Sequence, residues 1–135
     1  MADLVERALA AANTIAVVGL SRNPAKAAHS VPANLQAAGF RIIPVHPSAR
    51  ELLGEKVYRS LTDIPEPVDL VDVFRPAAEA PDIARQSVAM GAKTLWLQQG
   101  IVSAEARRIA TEGGLDYVED RCTAVVRALA SIRKN

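Results

Sequence analysis

A phosphate is held where backbone N–H groups, hydroxyls and cations are brought to one place. The stretch TIAVVGLSRNPAKAAHSVPANL (residues 14–35) offers all three. Gly19 follows the apolar run Thr14 to Val18, and Ser21, Arg22, Lys26 and Ser30 come next, ahead of residues with helical spacing. A glycine at a strand end lets a ligand or a neighbouring backbone come close. The start of the following helix presents unpaired N–H groups and a partial positive charge. One exposed contact of that kind contributes only about 0.3–1 kcal/mol, so the hydroxyls and cations are needed beside it. The glycine pattern of dinucleotide sites fails here: G-x-G-x-x-G would put glycines at 21 and 24, where the chain has Ser21 and Pro24. The ten residues Leu20 to His29 also exceed the two to six of an ordinary strand-to-helix loop. A phosphate or pyrophosphate on a longer, Ser- and cation-bearing loop is the chemistry expected.

The next apolar run, FRIIPV (40–45), narrows the ligand. An NAD site has an acid at this strand end, about 20 residues beyond the glycines, to bind the ribose 2′-hydroxyl. Here the chain reads Val45-His46-Pro47, with no acid before Glu51 and with Arg50 beside it. That disfavours NAD and favours a nucleotide with an additional ribose phosphate, either NADP or coenzyme A. Lys56 is a candidate cation for that phosphate, although a solvated surface charge is the ordinary reading of any single Arg50 or Lys56. Residues 19–59 hold six cations (Arg22, Lys26, Arg41, Arg50, Lys56, Arg59) and two acids (Glu51, Glu55), a net of +4. The rest of the chain carries −3 against an overall +1.

Other reactive types read as structural. Cys122, the single cysteine, could exchange with a thiol or accept an acyl group, but a free cysteine usually packs as a small hydrophobe. His29 and His46 have no partner at triad spacing. Asp69 and Asp72 are three apart in an apolar strand and point to opposite faces, so one of them is expected to cap or salt-bridge at the sheet edge. Trp96 reads as core, and Arg107-Arg108 and Arg133-Lys134 as solvated faces.

The elements that must position these residues follow from the pattern of apolar runs. The chain has 135 residues, 50% hydrophobic and 23% charged, enough for one domain with its own core. Helices are expected at Leu4–Ala12, from an N-cap at Ser30 to Gly39, at 77–90, at Ser103–Glu112 and at Thr123–Arg133. Strands are expected at 14–18, 40–45, 68–74, 94–97 and 116–119. This alternation predicts an α/β fold, a Rossmann-like doubly wound parallel sheet of about five strands with helices on both faces. Such sheets bind ligands at the carboxyl ends of their strands, at the switch point. Nothing in the total charge suggests nucleic acid, no apolar run reaches the roughly 20 residues of a membrane span, and the N-terminus lacks a secretory pattern. A cytoplasmic location is expected.

Five motifs, GLSRNPAKAAHSV, RIIPVHP, LVDVFRP, LWLQQGI and EDRC, occur in this order over about residues 3 to 130. Together they resemble the small CoA-binding proteins, single-domain relatives of the CoA-binding domain of the succinyl-CoA synthetase α subunit. The resemblance implies one domain over residues 1–135 that binds coenzyme A or acyl-CoA without a reaction of its own. It implies that Gly19–Ser21 with Lys26–Ser30 cradles the phosphates and that Val45, His46 and Pro47 flank the adenosine. Phe74, Arg75 and Pro76 would line the other side, and Gln98, Gln99 and Gly100 the path of the pantetheine arm. The family usually reads P-V-N-P where this chain has PVHP. In succinyl-CoA synthetases the phosphorylated histidine lies in a further domain, so ligase activity is not expected of this chain. Two alternatives stay open: a NADP-dependent oxidoreductase, for which no proton donor is evident, and an interaction module that senses acyl-CoA.

Overall fold

The computed structural model describes residues 3–134. Its strands are β1 (Thr14–Val18), β2 (Arg41–Val45), β3 (Glu51–Leu52), β4 (Glu55–Lys56), β5 (Leu70–Val73), β6 (Thr94–Leu97) and β7 (Asp116–Val118). Its helices are α1 (Leu4–Ala11), α2 (Ala27–Ala37), α3 (Ala80–Ala89), α4 (Ala104–Glu112) and α5 (Thr123–Leu129). Five strands form one parallel sheet in the order β2-β1-β5-β6-β7, as the alternation of apolar runs predicts. The order reverses at β1: β2 is laid on one side, and β5 and all later strands on the other. β3 and β4 form a small antiparallel hairpin beyond β2.

Both faces of the sheet are covered, which is why its strands are apolar at nearly every position. Ile15, Val17, Ile42, Leu70 and Trp96 pack under α1, α2 and α5 with Leu9, Leu35 and Val126. Ala16, Ile43, Val71, Val73, Leu95 and Leu97 pack under α3 and α4 with Ile83, Ala84, Ala106 and Ala110. Each fully buried large aliphatic side chain contributes about 1.5–3 kcal/mol. Trp96 is core, as expected, and its Nε1–H donates to the Arg121 carbonyl at 2.8 Å.

The two aspartates take opposite faces and different roles. Asp69 accepts the Asn13 and Thr14 N–H groups, both at 2.9 Å, and pairs with Lys93 at 3.6 Å, tying the start of β1 to that of β5. This is the cap expected of one of the pair. Asp72 is fully buried mid-sheet against the first residue of α5, Thr123.

Three helix boundaries differ from expectation. α2 begins at Ala27, with Lys26 as N-cap, so Ser30 is not the cap but lies within the helix, and so does Pro32. α3 is preceded by a separate 3₁₀ turn, Ala77–Glu79, with Pro81 in the first turn of the helix that follows. α5 stops at Leu129, and the tail folds back instead of continuing to Arg133. Lys134 is therefore not on a solvated face: its N–H donates to Ala38 O at 2.6 Å and its Nζ to Ala10 O. Gly39 makes this possible, since its φ is +100° and a Cβ would come within 1.9 Å of the Lys134 carbonyl oxygen. Arg107 and Arg108 do face acids, Glu119 at 3.1 Å and Glu112 at 3.2 Å. Among the described residues, no helix is long and apolar enough to cross a membrane.

Candidate functional site

Where the strand order reverses, the carboxyl ends of β1, β2 and β5 frame a cleft of about 630 Å³. Val18, Gly19, Val45 and Phe74 come from the strand ends; Ser21, Lys26 and Ala28 come from the loop and head of α2. His46 and Pro47, Arg59, Arg75 and Glu79 close the rest.

The loop after β1 replaces the missing glycines with side-chain-capped turns. Gly19 alone needs the left-handed region, at φ +90°. The Ser21 hydroxyl accepts the Asn23 N–H at 3.0 Å, and the Asn23 carboxamide accepts the Ala25 N–H at 3.0 Å. Such local bonds shape a turn from ordinary residues. Pro32 then helps. Lacking an N–H, it leaves the Ala28 carbonyl without its helical partner, and the Ser21 N–H takes that carbonyl at 3.0 Å. From the helix side His29 Nδ1 donates to Ser21 O at 2.7 Å. The loop is thereby tied to the head of α2, where Lys26 provides no side-chain cap. Among the described residues no acceptor meets the N–H groups of Ala27 or Ala28. Two free donors thus stand at the positive end of an eleven-residue helix, beside Lys26.

The opposite wall is the turn His46–Ala49. His46 Nδ1 accepts the N–H groups of Ser48 at 3.1 Å and Ala49 at 2.9 Å. Arg59 holds the same turn from outside, donating to the carbonyls of His46 at 3.0 Å, Ser48 at 3.3 Å and Ala49. Burial, then the charges of Arg22, Arg59 and Arg75, hold His46 below the usual histidine pKa. Across the cleft Arg75 lies over Gly19 and forks onto Glu79 at 3.1 and 2.7 Å. That hydrogen-bonded pairing holds the Glu79 carboxyl below the usual range.

The structure brings Gly19, Ser21, Lys26, Val45, His46, Pro47, Phe74 and Arg75 to this one cleft. Arg22 stands at its edge, donating to Ser48 Oγ at 3.3 Å. Ser30 and Pro76 lie exposed outside its lining, and Lys56 stacks its Nζ 5.1 Å from the Tyr58 ring. Gln98 is buried, and its Oε1 accepts the N–H and hydroxyl of Thr123. Gln99 and Gly100 are exposed on the next loop, where Asp120 accepts the Gly100 N–H at 2.7 Å. Cys122 is half-buried as the N-cap of α5 and does not line the cleft.

Two charged lining residues, Arg59 and Glu79, escaped the sequence reading. Glu79 was discoverable, because it stands four residues after Arg75 at the head of a helix, the spacing of a helical ion pair. Arg59 was not, because only the fold carries it back across the 46–49 turn. A second chamber of about 450 Å³ adjoins the first, sharing Val18, Val45, Arg59 and Glu79 and reaching Leu61 and Ile83. Its polar wall is already satisfied internally: Ser60 donates to Gln86 at 3.1 Å, and Gln86 to Asp82 at 2.8 Å. Among the described residues no group of three or more His, Cys, Asp or Glu is placed to hold a metal ion.

Sheet order, two-sided helical cover and a cleft at the β1/β5 switch point put the chain in the class of Rossmann-like α/β domains. A family model described as the CoA binding domain matches residues 13–128, and the chain belongs to that family. It is 38% identical over 125 residues to the uncharacterized protein YneT of Bacillus subtilis, covering 93% of each chain. It is 35% identical over 82 residues to an ADP-forming acetate–CoA ligase (II) of Archaeoglobus fulgidus, a match spanning 59% of this chain and 12% of the ligase. A solved structure of a hypothetical protein from Pyrococcus horikoshii superposes with a TM-score of 0.91 at 32% identity, over 94% of this chain and 89% of that one.

Proposed function

We propose that this chain binds coenzyme A or acyl-CoA in the cleft between β1, β2 and β5, and that it carries out no reaction of its own. The observation that carries this reading is the cluster of unsatisfied donors at the head of α2. The Ala27 and Ala28 N–H groups lack acceptors, and Lys26, Arg75 and His46 line the same cleft. Helix N-terminal N–H groups without protein acceptors are ready donors for an anion, and a phosphate oxygen is the group that suits them. Membership of the CoA binding domain family supports coenzyme A as that phosphorylated ligand. The adenosine end would lie against the His46–Pro47 wall and Phe74. The non-enzymatic part rests on what the candidate reactive groups are doing. Both histidines use Nδ1 to hold backbone, and Cys122 lies outside the cleft lining.

Lys26→Gln tests the phosphate cradle. The lysine is exposed, so the substitution should leave the melting temperature unchanged while CoA affinity falls by about fivefold, a helix-terminus charge contact. In ¹⁵N-labelled wild-type protein, CoA should shift the Ala27 and Ala28 amide resonances most. CoA-induced shifts confined to other parts of the chain would contradict the reading.

A further inference from the structure

The turn at residues 46–49 is built around a histidine, and its hydrogen bonds fix more than the backbone. We propose that His46 is a specificity residue of the cleft: an imidazole locked as the Nε2–H tautomer, offering the ligand a hydrogen-bond donor and no acceptor, and so selecting a phosphate oxygen. This rests on the reading of the cleft as a CoA site.

A backbone N–H can only donate. The Ser48 and Ala49 N–H groups, 3.1 and 2.9 Å from Nδ1, therefore require a lone pair there, and the single proton of the neutral ring sits on Nε2. Turning the ring over would set a carbon against both N–H groups, and Arg59 prevents the turn from opening by gripping three of its carbonyls. The ring lines the cleft, and no described residue partners Nε2. The charged groups around it are Arg22 from the loop after β1, Arg59 from beyond β4 and Arg75 from the end of β5. All are donors. The one acid nearby, Glu79, is occupied by Arg75. An anionic acceptor oxygen fits this corner, and a ligand group that only donates does not.

The same geometry separates histidine from asparagine. An asparagine oxygen would accept both N–H groups and still present amide donors at any pH. A second proton on His46 would set an N–H against two others, so acid should dismantle the turn in the wild type and spare it in a His46→Asn variant.

The test uses the full chain in two measurements. Imidazole ¹⁵N NMR at pH 7.5 should show His46 as the Nε2–H tautomer, with its Nε2 proton protected from solvent exchange once CoA is added. An Nδ1–H tautomer, or an Nε2 proton that exchanges equally fast with CoA present, overturns the proposal. Calorimetry with CoA then compares wild type with His46→Asn at pH 7.5 and 5.5. Between the two pH values the wild type should weaken about tenfold more than the variant, the worth of two lost hydrogen bonds. Equal weakening of both proteins overturns the proposal while leaving CoA binding in place. No CoA binding by either protein removes the site reading itself, and the proposal with it.

Discussion

Asp72→Asn should abolish a fall in stability of roughly 1.4 kcal/mol per pH unit that the wild type shows as pH rises between about 5 and 8. Asp72 has no exposed surface, and burial pushes its carboxyl up to about 8. The hydrogen bonds require the same protonation state. The Thr123 hydroxyl lies 3.1 Å from Asp72 Oδ2 and 2.9 Å from Gln98 Oε1, and its one proton cannot serve both. The Thr123 N–H fixes the Gln98 oxygen as an acceptor. A protonated Asp72 resolves the conflict by donating to Thr123, which then donates to Gln98. The native chain thus holds a proton that the unfolded chain, with an ordinary aspartate near 3.9, has already released. Stability from this group is complete at low pH, declines as pH rises and levels off once pH passes the folded value. His46 acts in the opposite sense: its depressed pKa makes stability rise with pH through the ordinary histidine range. The difference between variant and wild type is therefore the quantity to read. At pH 7 the protonation cost removed is on the order of 4 kcal/mol. The extra unpaired N–H of the amide costs about 1–3 kcal/mol, which leaves the variant more stable by roughly 1–3. Denaturant melts from pH 5 to 8 check this, and parallel wild-type and variant profiles would show that Asp72 is ionised in the native chain.

Gly19→Ala should cost the chain its ligand. At φ +90° an L-residue is strained by about 1–2 kcal/mol, and the new Cβ would stand 2.8 Å from Arg75 Cδ and 3.1 Å from the Phe74 carbonyl oxygen. Arg75 can swing away only by leaving its fork with Glu79, and the Phe74 backbone is held by its bond to Val18 O at 2.9 Å. CoA affinity should fall by more than about tenfold, since phosphate and backbone can no longer approach closely at that strand end. Gly54→Ala is the control. It carries the same kind of strain, at φ +73°, with no atom within 4 Å of the added Cβ, so its melting temperature should fall while binding stays intact. Equal affinities for the two variants would place the ligand away from Gly19.

The sheet was legible because a strand covered on both faces must be apolar at nearly every position, as TIAVV, LVDV and TLWL are. The cleft was legible where position after a strand coincided with residue type, as at Gly19, Lys26, His46 and Arg75. The head of α2 was not. Ser21 and Asn23 shape the turns upstream and leave the helix itself without a side-chain cap, and Pro32, which reads as a first-turn residue, sits deeper and frees the Ala28 carbonyl for the loop. Gln98 shows the other failure. It reads as a ligand contact from its place after a strand, whereas it is spent on Thr123, 25 residues away, whose hydroxyl also meets Asp72 across 51 residues. Arg59 likewise acts across a turn 10 to 13 residues before it. Local pattern carries strand, helix and the first glycine; polar relays between distant segments are set by the fold.

The cleft is proposed to read the phosphates of coenzyme A. Titration calorimetry of the full chain against CoA, dephospho-CoA, NADP and NAD at fixed salt tests it most directly. Micromolar binding of CoA is expected, about −8 kcal/mol, with clearly weaker binding of dephospho-CoA and the least for NAD. Binding of NADP in preference to CoA, or no heat from any of the four, would contradict it.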